Sequence, residues 1–571
     1  MNIFIFIFYF YFFLFSLIGY SFAFAYIIRV NRKIVNNGLI CFLGFFIITL
    51  FSYFSIFFFQ HRFLHNSILH ISGIILFLLL IYKNILNINL ILNILKISLL
   101  VFLGLFISKT NDDFPYYHLP FTMILVENKI QFGIGNLNTA YNHISSLFFL
   151  NSTFYMPYIK HYAFNFINIY FLIFVNLYFF YEILEKKINK ISFNYYVNLL
   201  FFILINVAFS RIAEYGTDLQ GQFLAIILLI EIFKITNSHN KFIKNDSFIV
   251  LIILILYLIT LKILFVVYLI FPLIIFYYSK SKLLLLKNNL NFLNLFFTFV
   301  FFLLFLIHNF INSGCLIYGF KFLCFGGELV FWGIPVDEMF ERRVWIETWA
   351  KAGATPNFRA ENVEFYLSNF NWVGNWMKMH FFNKISDFIL VLITIIFVTF
   401  ITFFSFKKKI KKYKNKKDYK FYTIYLVILF LFGIWFFNHP TIRYGGYVII
   451  SALLLLPAAK YCVVFFQFDK NIQKKLNFFL VITFLIFNIK NLIRIDNELI
   501  RVDSYKFTNF PFYYSESEKF KKFQTTSGHT LYNSDGTVGN YCWALPTPCG
   551  YIGNNIQSKE IFNYIFYYQN Q

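Results

Sequence analysis

Apolar runs of about twenty residues recur along the whole chain, and each is long enough to cross a ~30 Å hydrocarbon layer as a helix. In lipid a backbone cannot borrow hydrogen bonds from water, so such runs must close their bonds internally, as helices do. Of the 571 residues 59% are hydrophobic and only 13% charged, against roughly a quarter charged in soluble proteins. The predicted class is an all-α polytopic membrane protein. Run length and loop charge predict about fourteen spans, near 2–28, 38–59, 67–82, 87–107, 162–182, 193–210, 220–236, 247–260, 263–278, 290–310, 385–406, 420–437, 447–466 and 475–490. The abundance of Phe, Ile, Asn, Lys and Tyr matches a low-GC coding bias, so Phe counts carry little functional weight.

The net charge is +23. The cations form no single patch. They fall in short segments between apolar runs: Arg29/Arg32/Lys33, Lys186/Lys187/Lys190, Lys234/Lys241/Lys244, Lys280/Lys282/Lys287, Lys407 to Lys420 and Lys470/Lys474/Lys475. That spacing marks cytoplasmic loops and orients the chain; it speaks against a nucleic-acid partner. With no basic residue before the first run, the N-terminus is placed outside as an uncleaved span, although Ala23-Phe-Ala25 resembles a signal-peptidase site. Residues 248–278 pose one choice. Two short helices turning at Thr260-Leu-Lys262 keep both flanking Lys clusters cytoplasmic, and set Lys262 at the outer surface.

On this topology 108–161, 211–219, 311–384, 438–446 and 491–571 are extracytoplasmic. The organisation is a transmembrane group over 1–86, a membrane core over 87–310, an insertion over 311–384, a second transmembrane group over 385–490 and a small tail domain over 491–571. Cys315/Cys324 and Cys542/Cys549 form two close pairs on the oxidising side, and are expected as disulfides. Cys41 and Cys462 lie within spans. Asn151-Ser-Thr153 is a glycosylation sequon. There is no GxxxxGK[ST], usable GxGxxG or HExxH.

The first outer loop carries the chemistry. Asp112 and Asp113 directly follow an apolar run in Lys109-Thr-Asn-Asp-Asp-Phe-Pro-Tyr-Tyr-His118, where charge must face water or a polar site. Glu127, Asn136, Asn138, Asn142, His143 and Ser145/Ser146 follow, with Gly133-Ile-Gly135 as a turn. Both aspartates also suit a helix N-cap. Asp218 stands in the next outer loop, where Glu214 and Arg211 could pair. It suits either a second site acid or a cap.

Asp113-Phe-Pro115-Tyr-Tyr117, continued by His118-Leu-Pro120 after a helix that exits the membrane, resembles the GT-C superfamily of integral membrane glycosyltransferases. Its members include protein O-mannosyltransferases and bacterial aminoarabinose transferases. Thr217-Asp218, Ser313-Gly-Cys315 and Cys542-Trp543…Pro546-Thr-Pro548-Cys549 are similar to text in a group of uncharacterised bacterial multispanning proteins. The resemblance covers roughly 87–550; the spans before residue 87 depart from the smallest members.

It implies transfer of a sugar from a polyprenyl-phosphate donor to a glycan, lipid or protein acceptor, at the outer face of the inner (plasma) membrane. Asp113 is implied as the base. Asp112 would raise its pKa or hold a divalent ion, Asp218 would orient the acceptor or a metal, and His118 would assist proton transfer. Lys262 and Arg443 are the phosphate-binding candidates, with snorkelling to headgroups as the alternative for each. In the insertion, Trp332, Trp345, Trp349, Trp372 and Trp376 accompany Asp337, Glu338, Arg342, Arg343 and Glu347. The aromatics could stack on sugar faces and the Arg and Glu residues grip an acceptor, while an interfacial aromatic belt accounts for most of these tryptophans. The competing functions are a lipid-linked glycan transporter or flippase, an O-antigen polymerase or ligase, and a structural membrane protein. Few charges fall at mid-span, which weighs against transport.

Overall fold

A computed structural model describes residues 3–569 except 107–111, 185–190, 210–215, 238–240, 280–281, 283–284, 286–291, 328, 405–418, 467–470, 502–519, 526, 535–540 and 551–555. Of the sequence features above, Lys186, Lys187, Lys190, Arg211, Glu214, Lys280, Lys287, Lys407 and Lys470 lie outside the described residues. Among the described residues eleven helices are long and apolar enough to cross a membrane, and three shorter apolar helices stand with them. The chain is thus a multi-pass helical membrane protein.

The first four helices are α1 (Ile3–Ile27), α2 (Asn37–Ser55), α3 (Phe63–Tyr82) and α4 (Ile88–Val101). After the short α5 (Leu119–Glu127) and α6 (Ser146–Ser152) come α7 (Phe166–Ile183), α8 (Phe193–Ala208), α9 (Asp218–Asn237), α10 (Lys241–Leu261) and α11 (Ile270–Tyr278). The series ends with α12 (Phe292–Ser313), α13 (Val336–Ala350), α14 (Ser386–Phe403), α15 (Tyr419–Asn438), α16 (Tyr447–Cys462) and α17 (Ile472–Arg501). Polar residues set several starts. Asn36 accepts from the Gly38 N–H and Asn87 from the Asn89 N–H, the side-chain caps that the first-turn amides need.

Lipid supplies no hydrophobic drive between helices, so close packing and polar clasps hold the bundle. Gly19 of α1 meets Gly73 of α3 so closely that an added Cβ would lie 2.1 Å from the Gly73 carbonyl oxygen. Gly19→Val is therefore expected to destabilise the protein by about 1–3 kcal/mol, read as a lowered unfolding midpoint in detergent. Asn176 of α7 and Asn206 of α8 exchange amide hydrogen bonds of 3.1 and 2.8 Å. Charge also enters the bundle, at the end away from Asp113: Lys234 pairs with Glu182 at 2.9 Å and Glu231 at 2.8 Å, while the Tyr178 hydroxyl donates to Glu231 at 2.8 Å. These charges stand near the helix ends, not at mid-span. The triad survives because each carboxylate has the ammonium as a partner and takes a further hydrogen bond, from Tyr178 or from Asn36.

The 248–278 segment breaks at Lys262, whose backbone is extended (φ −156°, ψ 118°). The Tyr278 hydroxyl reaches Thr423 at 2.6 Å and Lys420 donates to the Thr236 carbonyl at 2.7 Å. The ends of α11 and α9 therefore meet the start of α15 together, so the chain reverses at Lys262. α17 runs unbroken to Arg501, beyond the span expected to end near 490.

Not all of the chain is helical. Antiparallel hairpins pair β1 (Phe520–Gln524) with β2 (Thr530–Ser534) and β3 (Ile556–Ile561) with β4 (Tyr564–Gln569). The second hairpin packs on the first acidic loop. The Phe132 N–H donates to the Ile565 carbonyl and the Tyr567 N–H to the Phe132 carbonyl, both at 2.9 Å. Asn136 donates to the Tyr567 carbonyl at 3.1 Å. Gly133, at φ +69°, allows this approach: a Cβ there would stand 2.0 Å from the Tyr567 carbonyl oxygen. Both expected disulfides, Cys315–Cys324 and Cys542–Cys549, are formed.

Candidate functional site

Three chain breaks converge at one end of the bundle. The first is a π-helical turn, Phe114–His118, which Asp113 precedes without making a side-chain cap hydrogen bond. The second is the start of α9 at Asp218. The third is the kinked segment Ile442–Gly446 between α15 and α16, where Gly445 takes φ +85°, a backbone that glycine adopts without strain. Three contacts fasten this last segment. Trp376 Nε1 donates to the Pro440 carbonyl at 2.7 Å, Trp435 Nε1 to the Thr441 carbonyl at 3.0 Å, and Gln222 to the Arg443 carbonyl at 3.1 Å.

These breaks present a continuous chain of charges. Arg443 Nη2 binds Asp113 Oδ2 at 2.6 Å, and Arg443 Nε stands 3.1 Å from Asp218 Oδ2. The other oxygen of Asp218 takes the Lys262 ammonium. One guanidinium thus bridges the two carboxylates, a geometry its planar fork permits and an ammonium cannot copy. The Lys262 ammonium lies 4.2 Å from the centre of the Tyr444 ring. The Arg443 guanidinium lies 5.2 Å from the rings of both Trp349 and Tyr444, within reach of cation–π attraction.

The site is deep but wet. Asp113, Asp218, Lys262 and Arg443 keep 29, 22, 17 and 34% of their side chains exposed. All four therefore remain open to solvent while paired with one another. His143 stands within electrostatic reach of Lys262, Asp113 and Arg342. Its imidazole is pushed down by its depth in the protein and then by the Arg342 and Lys262 cations, so it is neutral at pH 7. The Tyr117 hydroxyl is held well above its ordinary value by burial, with the Asp113 charge adding to it; it stays a neutral donor.

The predicted residues do not all share this place. Asp113, Asp218, Lys262 and Arg443 come together. Asp112 is exposed and lies toward Tyr541 of the C-terminal hairpins. His118 is buried behind the charge cluster, 4.2 Å ring to ring from Tyr117. Among the described residues no three His, Cys, Asp or Glu side chains group as a metal site, and the oxygens of Asp218 already carry two cations.

The aromatic belt also needs correcting. Trp349 lies under Arg443, while Trp372 and Trp376 are buried packing residues 6.1 Å apart. Trp332 packs on Phe132 and Phe566. The sequence alone names Trp349 among the insertion aromatics and Tyr117 within the acidic-loop motif, and gives Tyr444 no role. The usable signal for Tyr444 was its place beside Arg443 and the glycine pair.

The disulfide loop of the tail braces the acidic turn. The Trp543 N–H donates to the Pro115 carbonyl at 3.0 Å, and the Tyr141 hydroxyl to the Cys549 carbonyl at 2.5 Å. The Thr547 hydroxyl donates to Glu127 at 2.7 Å.

Residues 1–451 match the family model described as Domain of unknown function (DUF8201). The match takes in Asp113, Asp218, Lys262, Trp349 and Arg443, and ends before the hairpins. No curated protein and no solved structure matches the chain.

Proposed function

The chain belongs to that DUF8201 family, and from the charge cluster around Asp113 we propose that it is a glycosyltransferase of the GT-C type. It would move a sugar from a polyprenyl-phosphate donor to a hydroxyl of a cell-envelope glycan, lipid or protein. The protein would cross the plasma membrane about fourteen times, with the cluster facing the extracytoplasmic side. One observation carries the reading. A partly exposed carboxylate, Asp113, is joined through the Arg443 bridge to a cluster with two cations able to hold a phosphate.

The chemistry follows from that juxtaposition. Asp113 lies against Arg443, and a carboxylate in that place can take a proton as a general base. The acceptor oxygen attacks the anomeric carbon of the sugar, the bond from that carbon to the phosphate oxygen breaks, and the acceptor proton passes to Asp113. The leaving polyprenyl phosphate keeps both electrons of the broken bond and is stabilised by Arg443 and Lys262. A single base working by direct displacement inverts the anomeric centre. In the resting site the cations are held by Asp113 and Asp218, so donor phosphate must take over contacts that Asp218 makes. The aromatic rings of Trp349 and Tyr444 keep the guanidinium in place during that exchange.

The test is turnover of an undecaprenyl-phosphate hexose by the purified protein, measured as released undecaprenyl phosphate. Absence of release with every common hexose would overturn the reading. Orientation has its own test, in a background lacking Cys41 and Cys462. A cysteine replacing the exposed Lys129 is expected to react with a membrane-impermeant maleimide on intact cells, and one replacing the exposed Lys33 to stay unlabelled. The opposite pattern would place the cluster in the cytoplasm.

A further inference from the structure

Lys262 and Arg443 are matched by two carboxylates, but a third cation beside the cluster is not. Among the described residues Arg342 makes no ion pair, and its Nε is buried without a hydrogen-bond partner. Its guanidinium lies 4.3 Å from the centre of the Trp345 ring, a stack that fixes the direction of the fork. Of the acids on the same helix, Glu347 holds Lys351 at 2.6 Å and Glu338 accepts from Gln569 at 3.4 Å.

Arg342 precedes Trp349 by seven residues on α13. That is two helical turns on the same face, ~10 Å along the axis. Trp349 sits under Arg443, so this face of α13 runs from the Arg443 position to Arg342. His143 closes the other side. Its ring meets Tyr318 at 5.3 Å. Ser145, two residues on, donates to the Leu261 carbonyl at 2.8 Å, which fixes this stretch against Lys262. The cluster therefore has matched charges at one end and an unmatched guanidinium, beside a neutral imidazole, at the other.

We propose that Arg342 and His143 form a second anion-binding position, which holds a carboxylate or phosphate on the molecule whose first phosphate sits at Arg443 and Lys262. This rests on the donor reading above. The second anion has two sources: an acidic group on the sugar, or the second phosphate of a diphosphate carrier.

The test uses three probes in detergent micelles: undecaprenyl-phosphate glucose, undecaprenyl-phosphate glucuronate and undecaprenyl-diphosphate glucose. The wild-type protein is expected to bind one of the two charged probes about tenfold or more tightly than the neutral one. Preference for glucuronate assigns the anion to the sugar; preference for the diphosphate assigns it to the carrier. Arg342→Gln is expected to bring the ratio to about one, and Arg342→Lys, which keeps the charge, to restore part of it. No preference in the wild type, or a preference that survives Arg342→Gln, overturns the second position. The donor reading fails separately, when Arg443→Gln leaves the affinity for undecaprenyl-phosphate glucose unchanged.

Discussion

Asp113→Asn is expected to lower the rate of sugar transfer by about 10²–10⁴-fold, the usual contribution of a positioned general base. The substitution separates the two roles that an aspartate at this position can have. Asparagine caps a helix as well as aspartate does, so a capping residue would tolerate the change. It is also nearly isosteric and retains an oxygen for Arg443, which keeps Asp218 as its ionic partner at 3.1 Å. What asparagine cannot do is take a proton from an acceptor hydroxyl. The loss should therefore fall on kcat, with donor KM changed by no more than a few-fold, since the phosphate contacts come from Arg443 and Lys262. Initial rates with an undecaprenyl-phosphate hexose, wild type against Asp113→Asn, decide it. Equal kcat values would remove Asp113 as the base. The geometry already tells against the cap, because Asp113 makes no side-chain hydrogen bond to the turn that follows it.

The membrane character and much of the site were legible in the sequence because both rest on local rules. An apolar run must become a helix in lipid, and a charge at its end must find water or a partner. Those rules picked out Asp113, Asp218, Lys262 and Arg443 separately, and loop charge put them at one end of the bundle. The turn at Lys262 followed from the same argument, because two flanking basic clusters needed a reversal between them. The pairing could not be read this way. Arg443 meets Asp113 across 330 residues, and which acid a guanidinium meets is decided by helix packing.

Composition misled for the tryptophans. An interfacial belt and a cation–π platform use the same residue type, and only the position of Trp349 under Arg443 separates them. The hairpins were missed for a different reason. Alternation in β3 and β4 is weak, and β4 is docked by hydrogen bonds to Phe132 and Asn136, more than 400 residues earlier in the chain.

Arg443→Lys is expected to lower kcat/KM by about a hundredfold although it preserves the charge. An arginine fork can bind two oxyanions along two edges at once; an ammonium is a point charge on a flexible stem. In the native site Nη2 serves Asp113 while Nε faces Asp218, and a lysine would reach one of them and leave the other to water. With both carboxylates partly exposed, the cost to stability is modest, about 1–2 kcal/mol after solvent screening. The functional cost is larger, because the same fork must later grip the phosphate while Asp113 is held beside the acceptor. The effect should therefore appear in both donor KM and kcat, unlike Asp113→Asn.

A double-mutant cycle sharpens the point. If the bridge is what positions Asp113, Arg443→Lys should cost much less in kcat once Asp113 is already Asn, because the base it positions is gone. Purely additive losses would mean that Arg443 and Asp113 act on separate steps, and that their ion pair only stabilises the resting cluster.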